Sequence, residues 1–266
     1  MSFWLDHLNK HKIENQGIKE RFGHKFIRFS HPSGLEFEVM EDPADKRVGW
    51  ETPEIKMDTS VRGFFGTVLS VRETTETERF FVDALGFKNT GKEGPYTRLE
   101  VGPGGAAKTI VLHHEPEKPQ GSWIFGEGTP HHVAMNVPTD EDLMTQKGIY
   151  DELGYTDCSE VKDRNYFHSI YCRCPGGILV ECAATAEGGF ARDEPADQLG
   201  TSLLLPPWFE EKRAEIVAML EPIQVPEYNG PVAKGAAAPG VGPGAAAPKS
   251  GVNMSRRDAT FIGGDK

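Results

Sequence analysis

The sequence lacks the features that would direct a protein to a membrane or to nucleic acid. No apolar run approaches the roughly 18 residues of a membrane-spanning helix, and MSFWLDHLNKHK acquires charges too early for a signal peptide. Basic residues are the minority, since 29 Lys and Arg against 40 Asp and Glu give a net charge of −11. We therefore expect no nucleic-acid partner and no membrane.

Cysteine is scarce as well. The four cysteines are Cys158, Cys172, Cys174 and Cys182, and no two of them have the C-x-x-C spacing of a zinc knuckle. We interpret them as reduced structural thiols, which predicts a cytoplasmic protein.

The segment Pro231–Val252 is built almost wholly from Gly, Ala, Pro and Val. It has neither an apolar period nor a charge pattern, so we predict a disordered tail over 225–266.

The rest of the chain repeats itself. Thr67–Val71 and Ala134–Val137 each read as a strand followed by a helical stretch and a Leu-Gly-aromatic stop, and PSGLEFE (32–38) resembles PGGILVE (175–181) as a hairpin. The unit is strand, helix, strand, strand, strand. This predicts an α+β fold with a partial unit at 1–48, complete units at 58–118 and 128–187, and a C-terminal extension with a helix at 188–224.

The chain begins in the middle of such a unit. A sheet that lacks a strand has an open edge, so we expect exposed apolar surface near Phe26, Ile27 and Phe29. Such an edge favours pairing with further copies, so we expect a homodimer or aggregation rather than a stable monomer.

Two adjacent histidines open the stretch TPHHVAMNV (129–137). Alternation places Val133 in a core and His132 on the other face of the strand. In the hairpin around PGGILVE (175–181), the side chains of Tyr171 and Glu181 could point to the same face of the sheet as His132. A histidine and a carboxylate are natural ligands of a divalent metal, and two histidines with one carboxylate suit Fe(II). A solvated sheet face remains the alternative.

Three stretches carry a family resemblance: TPHHVAMNV, DRNYFHSIYCRCPGGILVECA (163–183) and DQLGTSLLLPPWFEEKRAEI (197–216). Across roughly residues 2–222 the chain resembles the vicinal oxygen chelate superfamily, which includes glyoxalase I, bleomycin-resistance proteins and extradiol dioxygenases. Within that superfamily it looks most similar to hydroquinone and chlorohydroquinone ring-cleaving dioxygenases. The fold that this implies is a tandem array of βαβββ modules with curled mixed sheets.

The resemblance implies an oxidoreductase that cleaves a small aromatic substrate with O2 and Fe(II), or with another divalent metal such as Mn. By analogy, His132 and Glu181 would be metal ligands. Arg164 and Tyr171 would bind or polarise the substrate, and His131 would be an acid–base group.

The chain also departs from the family pattern. A further metal-binding histidine of the family lies in a His-His pair on the first strand of the first module, and this chain starts after that strand. Phe65 and Gly66 stand where the later module has His131 and His132, and Glu38 matches Glu181 in the partial unit. His113 and His114, at a strand end, are expected to be solvated.

Two of three ligands are therefore present, and we expect weak iron binding. The alternatives are a dioxygenase whose third ligand lies elsewhere or on a second subunit, a non-catalytic binding protein, and a glyoxalase-like isomerase or lyase. The sequence does not determine the exact aromatic substrate.

Overall fold

The computed structural model describes residues 1–119, 126, 128–189, 194–195 and 202–220, together with the backbone of 260–261. The predicted tail at 225–266 otherwise lies outside the described residues. The helices are α1 Ser2–Lys10, α2 Thr75–Arg79, α3 Asp140–Glu152 and α4 Arg213–Met219, with a π-helical turn at Phe80–Ala84 and a 3-10 helix at Pro207–Lys212. None of the helices among these residues is long and apolar enough to cross a membrane.

Twelve strands are found in the described part of the chain, and they form three sheets. The strands are β1 Asn15–Arg21, β2 His24–Ser30, β3 Glu36–Met40, β4 Gly66–Val71, β5 Lys88–Glu93, β6 Tyr96–Glu100, β7 Thr109–His114, β8 Val133–Val137, β9 Lys162–Asp163, β10 Phe167–Arg173, β11 Leu179–Thr185 and β12 Thr260–Phe261.

The middle and last units have the same topology. The middle sheet has the order β4-β7-β6-β5, and the last has β12-β8-β11-β10-β9. In each, the first strand of the unit runs parallel to the fourth, while the other pairs within the unit are antiparallel. The α+β fold of tandem βαβββ modules with mixed sheets is thus confirmed.

The first unit is a three-stranded antiparallel sheet, β1-β2-β3, with α1 before it. The prediction of an exposed apolar patch is wrong for Phe26 and Ile27, whose side chains are buried at 4% and 0% exposure. One reason is that the guanidinium of Arg21 covers the Phe26 ring at 4.7 Å. Phe29 is half-buried and stacks on Phe37 with a centroid distance of 5.9 Å.

The first sheet also packs on the middle one. The Arg21 guanidinium lies 4.7 Å from the Tyr96 ring, and that of Arg98 lies 5.0 Å from the Phe22 ring. The backbone amide of Phe22 donates to Glu93 at 2.7 Å. Through cation–π contacts of this kind, an arginine side chain can cover aromatic rings that hydrophobic alternation alone would predict to be exposed.

The helical segments of the middle and last units share one core. Phe80 stacks on Tyr150 at 5.5 Å, and the Gln146 side-chain amide donates to the Ala84 carbonyl at 2.9 Å. Helix α3 begins where the Thr139 hydroxyl accepts from the Asp142 amide at 3.1 Å, which caps the helix. Helix α3 covers the core face of the last sheet. The opposite face of that sheet therefore carries the polar side chains described below.

Candidate active site

Strand register places the predicted residues on one face of the last sheet. Glu181 on β11 pairs with Ala134 on β8 and with Tyr171 on β10. Val133 and Met135 of β8 are buried in the core. Since side chains alternate along a strand, His132 and Ala134 project to the opposite face, beside Glu181.

The centre of this face is a buried carboxylate with one partner for each oxygen. His132 Nε2 lies 2.7 Å from Glu181 Oε2, and the Tyr171 hydroxyl donates to Oε1 at 2.6 Å. Glu181 is only 2% exposed, whereas the His132 side chain is 33% exposed. A carboxylate buried to this extent requires such partners to remain charged.

The partners oppose the effect of burial on Glu181. Burial raises the pKa of this carboxyl, but hydrogen bonds from His132 and Tyr171 outweigh burial, so the pKa lies below its usual value. Burial raises the pKa of Tyr171, and the bond to Glu181 raises it further. The site therefore presents an anionic carboxylate and a protonated phenol.

Arg164 reaches the site from a tight turn between β9 and β10. The turn is held by Asn165, which has φ of 68° and whose amide donates to Asp163 at 2.8 Å. Arg164 Nε donates to the Tyr171 hydroxyl at 3.3 Å, and its guanidinium lies 5.3 Å from the Tyr171 ring. Arg164 is exposed and can contact a bound molecule.

His131 contacts the other end of His132. The two Nδ1 atoms are 2.8 Å apart, so one ring donates to the other, with the direction set by their tautomers. A hydrogen bond at the second ring nitrogen orients an imidazole whose first nitrogen faces a ligand. The structure thus brings all five predicted residues into one contact chain, and their roles stay predictions.

Sequence reasoning did not single out Ser169. It is fully buried on the same face, and its hydroxyl is close enough to Glu181 to lower that carboxyl's pKa. The hydroxyl makes no hydrogen bond of regular geometry within the described residues. Alternation with Tyr171 along β10 was the available signal, and a buried hydroxyl of this kind suits a bound ligand or ion.

An open groove of about 360 Å³ runs beside Arg164. Asp163 and Arg164 form one side, and Pro206, Trp208 and Phe209 form the other. Trp208 and Phe209 are 50% and 45% exposed. They lie in the third stretch that carries the resemblance, but nothing in their spacing indicated that they would face Arg164.

The donors His132 Nε2 and Glu181 Oε2 fit a divalent metal. Two ligands at right angles, each about 2.1 Å from one ion, are about 3 Å apart, close to the observed separation. Nitrogen and carboxylate oxygen are donors that Fe(II) and Mn(II) accept. Within the described residues, no third His, Cys, Asp or Glu joins this pair.

The other units do not offer a matching pair. In the middle unit, Gly66 and Val111 hold the register positions that correspond to His132 and Glu181. A side chain at Gly66 would meet the Thr109 carbonyl of β7. Glu38, in the first unit, binds Arg21 and Arg28 at 2.6 Å each.

His113 and His114 do not join the site. His113 stacks on Tyr96 at 4.3 Å and pairs with Glu115 at 3.2 Å, so it is half-buried rather than solvated as expected. His114 is exposed at the end of β7, as expected.

Comparison with known proteins agrees with this geometry. The paired βαβββ modules define the vicinal oxygen chelate fold. No protein-family model matches the chain. A crystal structure of a proposed dioxygenase from Bacillus subtilis strain 168 superposes with a TM-score of 0.75 at 33% identity, over 85% of this chain and 70% of that one.

Two curated relatives are similar in sequence. A chlorohydroquinone/hydroquinone 1,2-dioxygenase of Sphingobium indicum is 35% identical over 85% of this chain and 70% of its own length. MhqO, a proposed ring-cleaving dioxygenase of B. subtilis, is 34% identical over 86% and 71%. The chain belongs to the ring-cleaving dioxygenases of the vicinal oxygen chelate superfamily, which implies the use of a metal and of O2.

Proposed function

We propose that the chain cleaves the ring of a hydroquinone-like phenol with O2, using a single Fe(II) ion. The observation that carries this proposal is the contact between His132 Nε2 and Glu181 Oε2 on the open face of the last sheet. The relative from S. indicum, named for chlorohydroquinone and hydroquinone, supports the substrate class.

His132 and Glu181 would hold the iron. When bound, Fe(II) would supply open coordination positions and a route by which electrons pass from the phenol to O2, whose direct reaction with a singlet phenol is slow. The described residues provide two of the three protein ligands expected, so we propose that the third comes from a residue outside them, on this chain or on a second subunit.

The remaining residues would bind and orient the substrate. Tyr171 donates to Glu181, which holds the carboxylate in place. Arg164 is always cationic and would bind a phenolate oxygen. His131 would orient His132 and move a proton at its imidazole. Trp208 and Phe209, across the groove from Arg164, would pack on the face of the aromatic ring.

The test is anaerobic loading with Fe(II), followed by O2 uptake with hydroquinone. We expect weak Fe(II) binding and slow uptake that depends on iron and on hydroquinone, because only two ligands lie among the described residues. Mn(II) is loaded in parallel to distinguish the two metals. His132→Ala and Glu181→Gln should abolish the uptake. The matched control is His168→Ala, because His168 lies on β10 but faces the other way, paired with Asp140 at 2.9 Å.

Fe(II) affinity should distinguish Glu181 from Glu38, which holds the corresponding position in the first unit. Glu181→Ala should lower Fe(II) affinity far more than Glu38→Ala, and equal losses would contradict the ligand assignment.

The methylglyoxal–glutathione hemithioacetal serves as a second substrate, which tests the alternative functions. Its isomerisation without O2 uptake would favour a glyoxalase-like activity, and silence with both substrates would favour a binding protein.

We also propose that the protein is cytoplasmic and forms a homodimer. The four cysteines support the first proposal, because all are free in the structure. The second rests on the open edge strand β3. A single monomeric species in light scattering at high concentration would contradict it.

A further inference from the structure

A second cluster of metal-ligating side chains lies far along the chain from His132 and Glu181. His7 and His11 are four residues apart, one on α1 and the other at its C-terminal cap, and Glu54 comes from the segment between β3 and β4. One ligand atom of each lies within 4.8 Å of the others, and within the part of the chain that the structure describes this is the only such group of three. Histidines spaced by four lie on one face of a helix and can bind one ion together.

The surroundings hold the cluster in position. The His7 ring stacks on Phe3 at 5.5 Å and meets the edge of Trp4 at 5.7 Å. The Trp4 indole donates to the Thr59 carbonyl at 2.9 Å, which fastens α1 to the segment that carries Glu54. The imidazoles and the carboxylate therefore meet on two docked elements, so little reorganisation is needed to bind an ion.

Glu54 supplies the negative charge of the cluster and shares it with two neighbours. Glu54 Oε2 is 3.0 Å from His11 Nε2, while Oε1 accepts from Lys10 Nζ at 2.7 Å. One oxygen is thus held by Lys10 and the other can serve as a ligand. The cluster also lies at the C-terminal end of α1, where the helix dipole attracts positive charge.

We propose that His7, His11 and Glu54 form a second metal site, which takes a divalent transition-metal ion such as Zn²⁺. Two imidazole nitrogens and one carboxylate oxygen are ordinary Zn²⁺ donors, and the exposure of His11 and Glu54 leaves room for a water ligand. The ion would tie α1 to the segment before β4, so its expected role is structural. This site shares no residue with the proposed ring-cleaving site.

The experiment titrates Zn²⁺ into the full chain, by calorimetry and by thermal unfolding. The titration is repeated in the double variant His132→Ala with Glu181→Gln, which removes the other metal-binding pair. We expect Zn²⁺ to raise Tm in both proteins, because an ion that binds only the folded state stabilises it. A gain in Tm that disappears in the double variant would overturn the proposal.

Three single variants in this background locate the ion. His11→Ala and Glu54→Gln should weaken Zn²⁺ binding at least about 10-fold. His31→Ala is the matched control, because His31 is exposed in the β2–β3 turn, outside the cluster, and it should leave binding unchanged. Equal affinity in His11→Ala and His31→Ala would show that the cluster does not bind the ion. Far-UV spectra and Tm in EDTA verify that each variant is folded.

Discussion

Tyr171 and Glu181 face each other directly across the β10–β11 hairpin, with the phenol hydroxyl 2.6 Å from Oε1. This contact occupies one carboxylate oxygen and leaves the other directed at His132. Strand register places the Tyr171 and His132 side chains on either side of Glu181, and the side-chain rotamers then give each carboxylate oxygen one partner.

Replacing Tyr171 with Phe should reduce iron affinity or turnover by about 10–100-fold, the range for a partner that orients a metal ligand. The reason is that Glu181 Oε1 would lose its donor while remaining buried. Steady-state O2 uptake at a series of Fe(II) concentrations measures this. Tyr96→Phe, in the middle sheet, is the control and should leave both quantities unchanged.

Glu38 should contribute strongly to folding stability. Glu38→Gln removes the charge that pairs with Arg21, which is 4% exposed, and with Arg28. Removing one partner of a buried pair costs about 3–5 kcal/mol in the free energy of unfolding. Urea unfolding at neutral pH measures the loss. Glu210→Gln breaks an exposed pair with Arg213 and should shift the urea midpoint much less than Glu38→Gln does.

The same carboxyl should make stability depend on pH. Burial raises the pKa of Glu38, but Arg21 and Arg28 outweigh burial and the folded pKa falls below the usual 4.5. Its contribution is therefore complete above pH 4.5 and is lost as the pH falls through the lowered folded value. We expect the urea midpoint to fall more steeply below pH 4.5 in the wild type than in Glu38→Gln. Parallel slopes would contradict this origin.

Two glycine substitutions should have opposite effects. Gly66→Ala would press a Cβ against the Thr109 carbonyl, so we expect a loss of about 1–3 kcal/mol. Gly148 lies inside α3 with nothing near its would-be Cβ, so Gly148→Ala should stabilise by about 0.5–1 kcal/mol. Thermal unfolding of both variants is the measurement, and a tolerated Gly66→Ala would mean that β4 moves easily away from β7.

The cysteines should be unreactive in the folded protein. Burial raises the pKa of Cys158 to about 11 and that of Cys182 to about 12. At pH 8 only about a thousandth of Cys158 would be thiolate, the reactive form. A disulfide reagent should thus titrate the four thiols quickly only after denaturation. Rapid native labelling of even one would contradict this expectation.

Repetition in the sequence was enough to predict the module fold, because hydrophobic alternation and glycine stops depend on local structure. Strand β1 was missed, since NQGIKER contains only one apolar residue and most of its side chains are exposed. The burial of Phe26 was also missed, because its cover is the charged side chain of Arg21. Such contacts depend on how sheets pack, which a single-strand pattern does not encode.

For the site, alternation placed His132, Tyr171 and Glu181 on a common face, because in-register neighbours in a sheet always share one. The pairing of each Glu181 oxygen could not be predicted, since it depends on side-chain rotamers. The approach of Trp208 and Phe209 to Arg164 was equally hidden, because these residues are far apart in sequence and meet only through tertiary packing.

The glycine at position 66 also limits what the middle module can become. A point mutation could place an imidazole there only if the two parallel strands separated, because the Thr109 carbonyl occupies the space of the first side-chain carbon. A carboxylate at Val111 would then be needed as well, in a position only 6% exposed. A metal centre in the middle module would therefore need at least two substitutions, one against a neighbouring backbone carbonyl and one that buries a charge.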